Sequence, residues 1–448
     1  MDQRHSRRSA VKMGLAGASL IASRGWATEA KHAPIERVKV GFVGVGAKGS
    51  KHLQHLIHME GVELRAVCDV LEGPCVWAQR LAEQLDLKKP TAYTNGEQDF
   101  RRMCEEEELD LVYTATPWRW HARVCLAALE HGIHAATEIP MAVTVEDCWK
   151  LVEASEKAGK HCSMMENVNY QQNEMTILSM IRKGLLGELV HGSAGYMHDT
   201  RYLKINDHGD GLWLGDHHAE RNGNLYPTHG LGPLAWYMNI NRGDRLEYLV
   251  SMSSNARGMN LYAQEHLPKG HPKRERDYKN GDVNTCLIGT ANGLSISIVH
   301  DTDLPRPYSR TNLVQGTRGA VRGFPEFKVC LEGKNHRHKW SDGDEYTTEH
   351  EHPLWKASRA RGLQAEPTAD DYRFIDTLHN GDYLEDYRLI EAIRAGVNPD
   401  FDVYDGAAWS AVAELSERSV EARSAAVDFP DFTRGKWKTK MPLRIMGV

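Results

Sequence analysis

A glycine-rich segment near the start of the chain has the residue types and spacing of a nucleotide-binding turn. The apolar run Val38–Val43 leads directly into Gly44-x-Gly46-x-x-Gly49. In such turns the first glycine permits a tight bend, the second lets backbone N–H groups approach a pyrophosphate, and the third lets the following helix pack closely. Asp69 closes the next apolar run, where a carboxylate binds both ribose hydroxyls and would repel a 2′-phosphate. The pattern predicts a dinucleotide site that favours NAD over NADP.

A second segment whose side chains could take part in a reaction is 221–233, which contains five glycines and prolines. This density predicts a loop rather than a long regular element. Tyr226 and His229 lie three residues apart and would project to one side if a helical turn begins at Pro227. A buried histidine is often only structural, but a histidine beside a tyrosine in a rigid segment favours proton transfer.

The segment Trp118–His121 follows the predicted strand Leu109–Ala115. The carboxyl ends of parallel strands bind ligands in α/β sheets, so these side chains are candidates for cofactor contact. The alternative is the first turn of a helix with surface aromatic residues. The pairs His217-His218 and His336-x-His338 are predicted in loops, without helical i, i+4 spacing or a cysteine partner, so no metal site is predicted.

The elements that must position these residues follow an alternating pattern up to about residue 163. Strands are predicted at Val38–Val43, Val62–Asp69, Leu109–Ala115 and His134–Thr137, and helices at Ser50–Met59, Gly73–Leu85, Ala122–His131 and Val145–Ala158. Alternation of this kind predicts an α/β domain, a Rossmann-type doubly wound parallel sheet spanning residues 38–163.

Beyond Met164 the β segments lie far apart, separated by long polar loops. Strands are predicted at Leu189–Met197, Arg245–Met252, Thr285–Thr290 and Leu294–His300, and helices at Tyr372–Leu378, Tyr383–Ala395 and Ala407–Ala425. This predicts a second α/β domain over residues 164–448, built on a large open, mainly antiparallel sheet with one face covering the cofactor.

The first thirty residues have the pattern of an export signal. Arg7 and Arg8 precede the glycine- and alanine-rich apolar run Met13–Ser23. We predict a twin-arginine signal peptide over 1–30 and a linker over 31–37, which would place the mature protein in the periplasm or outside the cell. The alternative is a basic tail followed by a short amphipathic helix.

Composition limits the classes of partner. The chain has 448 residues, 41% of them hydrophobic and 26% charged, which suits two globular domains. A net charge of −6 without a basic stripe excludes nucleic acid as the expected partner. No segment after the signal is apolar enough to span a membrane. The eight cysteines form no Cys-x-x-Cys pair and are expected to be buried thiols. The sequence leaves open whether the chain forms a homo-oligomer.

Together these motifs resemble glycoside hydrolase family 109, within the Gfo/Idh/MocA superfamily of sugar oxidoreductases. The matching segments are 44–49, 137–140, 164–167, 221–233 and 238–244. The superfamily carries a Glu-Lys-Pro signature with a catalytic lysine, and here that signature is Glu138-Ile139-Pro140. A nicotinamide enzyme without this lysine is expected to use its cofactor for something other than ordinary dehydrogenation.

The resemblance implies an α-N-acetylgalactosaminidase that holds NAD tightly. By position it implies cofactor contacts from Gly44, Gly46, Lys48, Gly49, Asp69, Trp118, Arg119, Trp120, His121, Glu138, Ile139 and Asn167. It implies sugar contacts from Tyr196, Tyr226, Pro227, Thr228, His229 and Tyr308. The family pattern has an arginine after the tryptophan that aligns with Trp213, where this chain has Leu214, so the sugar is expected to be N-acetylgalactosamine or a related one.

The expected reaction is a redox-neutral cleavage. NAD takes a hydride from sugar C3 while His229 removes the hydroxyl proton, and the ketone acidifies the hydrogen at C2. Tyr170, Tyr226 or Tyr308 then removes that hydrogen, the C1 substituent leaves, water adds at C1 and the hydride returns. Export favours such a cycle, because no NAD pool exists outside the cytoplasm. The alternatives are an exported NAD-dependent sugar oxidoreductase and an inactive sugar-binding module that retains NAD.

Overall fold

The computed structural model describes residues 32–334, 338–360, 381–443 and 445. The predicted signal peptide, the predicted helix Tyr372–Leu378 and His336 lie outside the described residues. No helix in these ranges is long and apolar enough to cross a bilayer.

The first domain is a six-stranded parallel sheet with the order β3-β2-β1-β4-β5-β6. Its strands are β1 (Val38–Val43), β2 (Val62–Cys68), β3 (Thr91–Tyr93), β4 (Leu111–Thr114), β5 (His134–Glu138) and β6 (Cys162–Met165). Its helices are α1 (Ala47–His58), α2 (Glu72–Gln84), α3 (Asp99–Glu106), α4 (Trp118–Glu130) and α5 (Val145–Ala158). The prediction of a doubly wound parallel sheet is confirmed. The strand order reverses between β1 and β4, where such sheets open a ligand crevice.

The second domain is built on a nine-stranded sheet with the order β14-β13-β12-β11-β7-β10-β9-β8-β15. Its strands are β7 (Leu189–Met197), β8 (Leu246–Ser253), β9 (Asn284–Thr290), β10 (Ser295–Asp301), β11 (Leu313–Gly316), β12 (Gly319–Arg322), β13 (Lys328–Leu331), β14 (Ser341–Asp342) and β15 (Val427–Asp428). Within this sheet, as far as the structure describes it, β7 and β10 pair in parallel and the other strand pairs are antiparallel. The predicted mainly antiparallel sheet is confirmed.

The remaining helices follow β6 in the chain. They are α6 (Gln172–Arg182), α7 (Arg201–Ile205), α8 (Leu214–Glu220), α9 (Thr228–Tyr237), α10 (Gly258–His266), α11 (Pro272–Glu275), α12 (Asp344–His350), α13 (Pro353–Ala360), α14 (Asp382–Ala395) and α15 (Val403–Glu421). Short 3-10 turns span Asn167–Tyr170, Gly209–Leu212 and Lys436–Lys438.

The prediction of a loop over 221–233 is wrong from Thr228 onward, because α9 begins there and runs through Pro233. Its glycines serve close packing rather than chain reversal. A Cβ on Gly230 would lie 2.6 Å from the backbone nitrogen of Gly195, and one on Gly232 would lie 2.4 Å from Asn169 Oδ1. The conditional expectation of a helical turn at Pro227 is confirmed. The predicted loop at His217-His218 is also wrong, since both lie in α8.

Helix α14 returns to the first domain. Its Asp386 bonds to His52 of α1, and the backbone of Ile35 in the predicted linker bonds to Arg394. The eight cysteines are free, and all but the half-buried Cys330 are buried, as expected.

Candidate active site

A cavity of about 730 Å³ opens at the point where the first sheet reverses its strand order. The carboxyl ends of the first domain's strands form one part of its wall, and β7, α8, α9 and β10 of the second domain form another. A groove between two such domains can hold an extended cofactor beside a second ligand.

The glycine turn has three different physical roles. Gly44 has a φ of +85°, in the region that glycine favours, and a Cβ there would lie 2.9 Å from the backbone of Ala115. A Cβ on Gly49 would lie 1.9 Å from the carbonyl oxygen of Gly44, so this glycine lets α1 pack against the turn. At Gly46 a Cβ would meet no atom within 4 Å in the described chain, and Gly46 lines the cavity. The open space at Gly46 fits a bound pyrophosphate, whereas Gly49 serves packing.

Asp69 follows β2 and is fixed at the cavity by the backbone. Its carboxylate accepts hydrogen bonds from the N–H groups of Val45 at 2.8 Å and Leu71 at 3.0 Å. One acceptor group is thereby held beside the glycine turn, where the ribose of a dinucleotide would lie. These residues fit the cofactor that the sequence predicted.

The segment Trp118–His121 lines the cavity as predicted, at the start of α4. Both ring nitrogens of His121 lie against backbone carbonyls, Nδ1 at 2.7 Å from Pro140 and Nε2 at 2.6 Å from Thr116. Burial lowers the pKa of His121 below its ordinary value. The His121 imidazole therefore lies between the segments that follow β4 and β5, both of which contribute to the cavity wall.

Glu138 and Ile139 also line the cavity. Lys48 lies 3.4 Å from Glu138 and 2.9 Å from Asp382, while His52 bonds to Glu138 at 2.8 Å. Burial alone would raise the pKa of Glu138, but the Lys48 ammonium and His52 hold it well below its ordinary value. An ionised Glu138 is therefore fixed beside Ile139, at the position where the superfamily signature has its lysine.

Asn167 lines the cavity on the same side and donates to Asp382 at 2.5 Å. Lys48 and Asn167, which lie far apart in the sequence, therefore share one acceptor at the start of α14.

A buried cluster of metal-ligand type lies next to this wall, which the sequence did not indicate. The Nδ1 atoms of His52 and His55 each lie 2.8 Å from Asp386, and all three side chains are buried. Tyr113 donates to the same carboxylate at 3.1 Å. The carboxylate and the imidazoles are thus engaged with one another as an ion-pair network.

The second domain contributes a chain of three side chains. Glu166, fully buried after β6, lies 2.6 Å from His229 Nδ1. His229 Nε2 lies 3.4 Å from the hydroxyl of Tyr226, and both residues line the cavity. A carboxylate accepts hydrogen bonds and cannot donate them, so it places the imidazole proton on Nδ1 and leaves Nε2 free to accept one. The arrangement is that of an oriented general base.

Two tyrosines that line the cavity, Tyr196 and Tyr226, and Tyr308 packed against Tyr196 are held as neutral phenols. Burial raises the pKa of Tyr226 well above the ordinary value, and the Tyr196 ring, 4.3 Å away, adds to this effect. Burial also raises the pKa of Tyr196, and Tyr308 adds to it. Tyr308 packs edge-on to Tyr196 at 5.8 Å, and its hydroxyl accepts from Arg310 at 3.3 Å. Burial raises its pKa too, partly offset by Arg310.

Five predicted site residues do not line the cavity that the described residues form: Gly49, Tyr170, Pro227, Thr228 and Tyr308. Tyr170 is buried, and its hydroxyl donates to Asp400 at 2.8 Å. Pro227 and Thr228 are buried at the start of α9, where they position Tyr226 and His229. The sequence-based prediction of direct roles for Tyr170, Pro227 and Thr228 therefore differs from the structure, because each side chain is used in packing or hydrogen bonding inside the domain.

Other residues were missed from the sequence. Glu166 stands at the carboxyl end of a parallel strand, a position from which its role could have been suspected. The second-domain wall also contains Thr200, Leu203, Lys204, Asp210, His218, His300 and Thr302. Nothing in the local pattern of these residues marks them, because they come from separate elements.

A Rossmann domain with a prepared dinucleotide groove, facing an oriented histidine on a second α/β domain, defines an oxidoreductase-type fold that binds an NAD-type cofactor. Two family models match this chain: the oxidoreductase family with an NAD-binding Rossmann fold over residues 38–166, and the C-terminal domain of glycosyl hydrolase 109 over residues 170–439. The chain belongs to glycoside hydrolase family 109 and is a glycoside hydrolase.

Relatives and solved structures agree with this assignment. The chain is 45% identical over 419 residues to a glycosyl hydrolase family 109 protein of Shewanella pealeana, covering 92% of this chain and 89% of that one. A second relative, from Shewanella sp. strain MR-4, is 46% identical over 421 residues, with the same coverage.

Among solved structures, levoglucosan dehydrogenase in complex with NADH and L-sorbose superposes with a TM-score of 0.66 at 18% identity, covering 89% of this chain and 100% of that one. The WlbA dehydrogenase of Bordetella pertussis, in complex with NADH and UDP-GlcNAcA, gives 0.61 at 17% identity, covering 89% and 99%. At these identities the likeness shows the fold.

Proposed function

We propose that this protein cleaves the glycosidic bond of N-acetylgalactosamine or a related sugar by a redox-neutral cycle on NAD, with His229 as the general base. The observation that carries the proposal is the Glu166–His229–Tyr226 chain facing the same cavity as the glycine turn. NAD, when bound, supplies reversible hydride acceptance from sugar C3, which acidifies the hydrogen at C2.

Gly46 and Asp69 would hold the cofactor, with the groups that line the groove around them. The Asp69 carboxylate is anchored by two backbone amides and accepts ribose hydroxyls, whereas a 2′-phosphate would face its negative charge. This supports NAD over NADP as the resident cofactor.

His229 would act on the sugar hydroxyl. Its Nε2 carries no proton in this tautomer, so it takes the hydroxyl proton as C3 is oxidised and returns it when C3 is reduced. Glu166 holds the ring in the tautomer that can do this and stabilises the imidazolium that forms.

Elimination requires a base at C2 and departure of the C1 oxygen with a proton. Of the three tyrosines left open by the sequence, Tyr226 borders the cavity and lies in hydrogen-bonding range of His229, and Tyr308 packs beside Tyr196. At this stage His229 Nε2 holds the C3 hydroxyl proton, so the neutral Tyr226 would lose its own proton to solvent before it accepts the C2 hydrogen as a phenolate, and the leaving C1 oxygen would take a proton from water. Addition of water at C1 reverses these proton movements, so the sum of the steps is hydrolysis.

Incubation of the purified protein with nitrophenyl glycosides, without added nucleotide, tests this function. The expected result is sustained release of nitrophenol, with deuterium from solvent at C2 of the free sugar. A sugar product oxidised at C3 would instead establish the sugar oxidoreductase, and ligand binding without turnover would establish the inactive module. Efficient cleavage with no solvent deuterium would refute the elimination and favour direct displacement by two carboxylates.

His229→Ala is expected to abolish both nitrophenol release and reduction of the bound nucleotide, while nucleotide content stays at the wild-type level. His352→Asn is the control, because His352 is a buried histidine that lies outside the cavity lining that the described residues form. It should leave turnover unchanged.

A further inference from the structure

The part of the cavity wall formed by His218, His300 and Thr302 is not used by the reaction proposed above. We call it the histidine wall. His218 projects from α8, while His300 and Thr302 lie at the end of β10, and all three are nearly fully buried yet line the cavity. Buried polar groups normally find a partner, so a polar wall at a cavity needs an explanation.

The ion pair Lys204–Asp303, packed against these residues, fixes the geometry of the wall without giving it a net charge. Lys204 Nζ donates to the carbonyl and hydroxyl oxygens of Thr302, both at 2.9 Å, and to Asp303 at 2.5 Å. An ammonium has three N–H donors, so all three are used inside the protein. The positive charge of Lys204 is balanced by Asp303, and the pair offers no free cation to a ligand.

The ion pair also orients the polar atoms of the wall. His218 Nδ1 lies 3.0 Å from the second oxygen of Asp303, which places its proton there and leaves Nε2 as an acceptor. Thr302 Oγ1 accepts from Lys204, so its own hydroxyl proton is available to donate. His300 Nδ1 is buried and has no hydrogen-bond partner among the described residues. The wall thus presents an acceptor, a donor and an unsatisfied imidazole.

These imidazoles are neutral. Burial lowers the pKa of His300 to about 3, with His218 and Lys204 acting in the same direction. Burial also lowers the pKa of His218, and the Lys204 charge adds to it. At neutral pH neither ring carries a charge.

The surroundings disfavour an anion. Leu214 lines the cavity one helical turn before His218, on the same face of α8. Asp210 lines it too, and no ion pair to this carboxyl occurs within the part of the chain that the structure describes. Arg119, which also lines the cavity, lies 3.8 Å from Asp216, and Asp216 is paired with Arg276 as well.

We propose that the histidine wall is a substrate subsite that binds an uncharged hydroxyl or amide group of the sugar and discriminates against sugars carrying a carboxylate, sulfate or phosphate. A hydroxyl or amide matches one acceptor and one donor, whereas an anion at this wall would find the Lys204 ammonium already bonded to Thr302 and Asp303. The subsite rests on the proposed function for the placement of the sugar, but its residues lie outside the Glu166–His229–Tyr226 chain.

Calorimetric binding to the NAD-loaded protein tests the subsite without requiring turnover. Methyl galactoside and methyl N-acetylgalactosaminide are the neutral probes, and methyl galacturonoside is the anionic one. We expect the neutral probes to bind at least about tenfold more tightly than methyl galacturonoside. The carboxylate of the anionic probe would lose its hydration at the wall without gaining a charge-assisted hydrogen bond, and its negative charge would stay uncompensated.

His218→Asn keeps a donor toward Asp303 and removes the acceptor at the cavity. It should weaken the neutral probes about three- to tenfold, the range for one neutral hydrogen bond. His352→Asn should leave binding unchanged. Leu214→Arg, which touches none of the buried partners, should shift preference toward methyl galacturonoside by about tenfold and keep the NAD content.

Wild-type protein that binds methyl galacturonoside as tightly as the neutral probes, or binds none of the three, overturns the subsite. Binding of the neutral probes to His218→Asn with wild-type affinity also overturns the subsite. If that variant does not fold, an unchanged preference in Leu214→Arg decides against it. Failure of the nitrophenyl glycoside assay, with binding preferences as expected, removes the proposed cleavage reaction and leaves the subsite standing.

Discussion

Glu166→Gln changes one group that cannot touch the sugar and yet should control the base. Glu166 is fully buried and lies 2.6 Å from His229 Nδ1. The substitution keeps the side-chain shape and removes the negative charge. It also allows a side-chain amide to donate to Nδ1, which would move the imidazole proton to Nε2 and occupy the catalytic acceptor.

The expected magnitude follows from the charge lost. At an effective dielectric constant of about 20, an imidazolium and a carboxylate roughly 4 Å apart attract one another by about 4 kcal/mol. If most of that stabilisation develops as the hydroxyl proton reaches His229, the barrier rises by about 3–4 kcal/mol, which is a rate loss of roughly 10²–10³.

Rapid-mixing absorbance of the reduced nicotinamide is the assay, since it reports the first proton and hydride transfer in a single turnover. The rate should fall by that factor, while nucleotide content and sugar affinity stay near wild type, because Glu166 acts through His229. Glu417→Gln is the matched control: Glu417 bonds to Arg221 at 2.5 Å and does not line the cavity formed by the described residues. A Glu166→Gln rate within about threefold of wild type would refute the assignment of His229 as an oriented base.

Four further outcomes are expected. Tyr170→Phe should leave glycoside cleavage unchanged, because the Tyr170 hydroxyl bonds to Asp400 inside the protein. Loss of this hydrogen bond should lower the free energy of unfolding by about 1 kcal/mol, as measured by urea denaturation. A variant that reduces its nucleotide and then stalls would instead identify Tyr170 as the C2 base. Gly46→Ala should weaken NAD binding and change the free energy of unfolding by less than about 0.5 kcal/mol. Gly49→Ala should lower the free energy of unfolding by about 1–3 kcal/mol, because a Cβ at Gly49 meets the protein and one at Gly46 does not. Equal stability losses in the two variants would contradict this division. Burial would lower the pKa of His52, but Asp386 and Glu138 raise it to about 10 from 6.5, so the charged imidazole stabilises the fold fully below about pH 6.5 and this contribution is lost as the pH rises through 10. The melting temperature of the wild-type protein should therefore fall more between pH 6.5 and 10 than that of His52→Gln. Parallel curves of melting temperature against pH would count against the ion pair. Replacing Arg7 and Arg8 by lysines should hold the precursor in the cytoplasm, as followed by cell fractionation, and unimpaired export would show a different signal.

Local patterns were sufficient for the parts of this protein that depend on neighbouring residues. The turn at Gly44–Gly49 and the carboxylate of Asp69 were readable because a tight bend, a close helix and a ribose acceptor each impose a residue type at a fixed spacing. The strand β7 has the predicted bounds Leu189–Met197, and β10 differs by one residue, since alternating burial is a property of the segment itself.

The same local rules failed at α9. Glycine and proline at 230–233 usually interrupt helices, but here the glycines let the helix approach β7 and the turn at Asn169 closely. Packing against distant elements outweighed intrinsic preference, which only the tertiary structure could decide.

The sequence by itself determined the nucleotide-binding half of the site and the candidacy of Tyr226 and His229. The tertiary structure decided which groups complete them: Glu166, 63 residues from His229, and Asp386, 334 residues from His52. It also assembled the histidine wall from α8 and β10 and directed Tyr170 toward Asp400 instead of the cavity. The physical reason is that a hydrogen bond or an ion pair depends on distance in space, and residues brought together by two folded sheets carry no mark of that proximity in the local order of the chain.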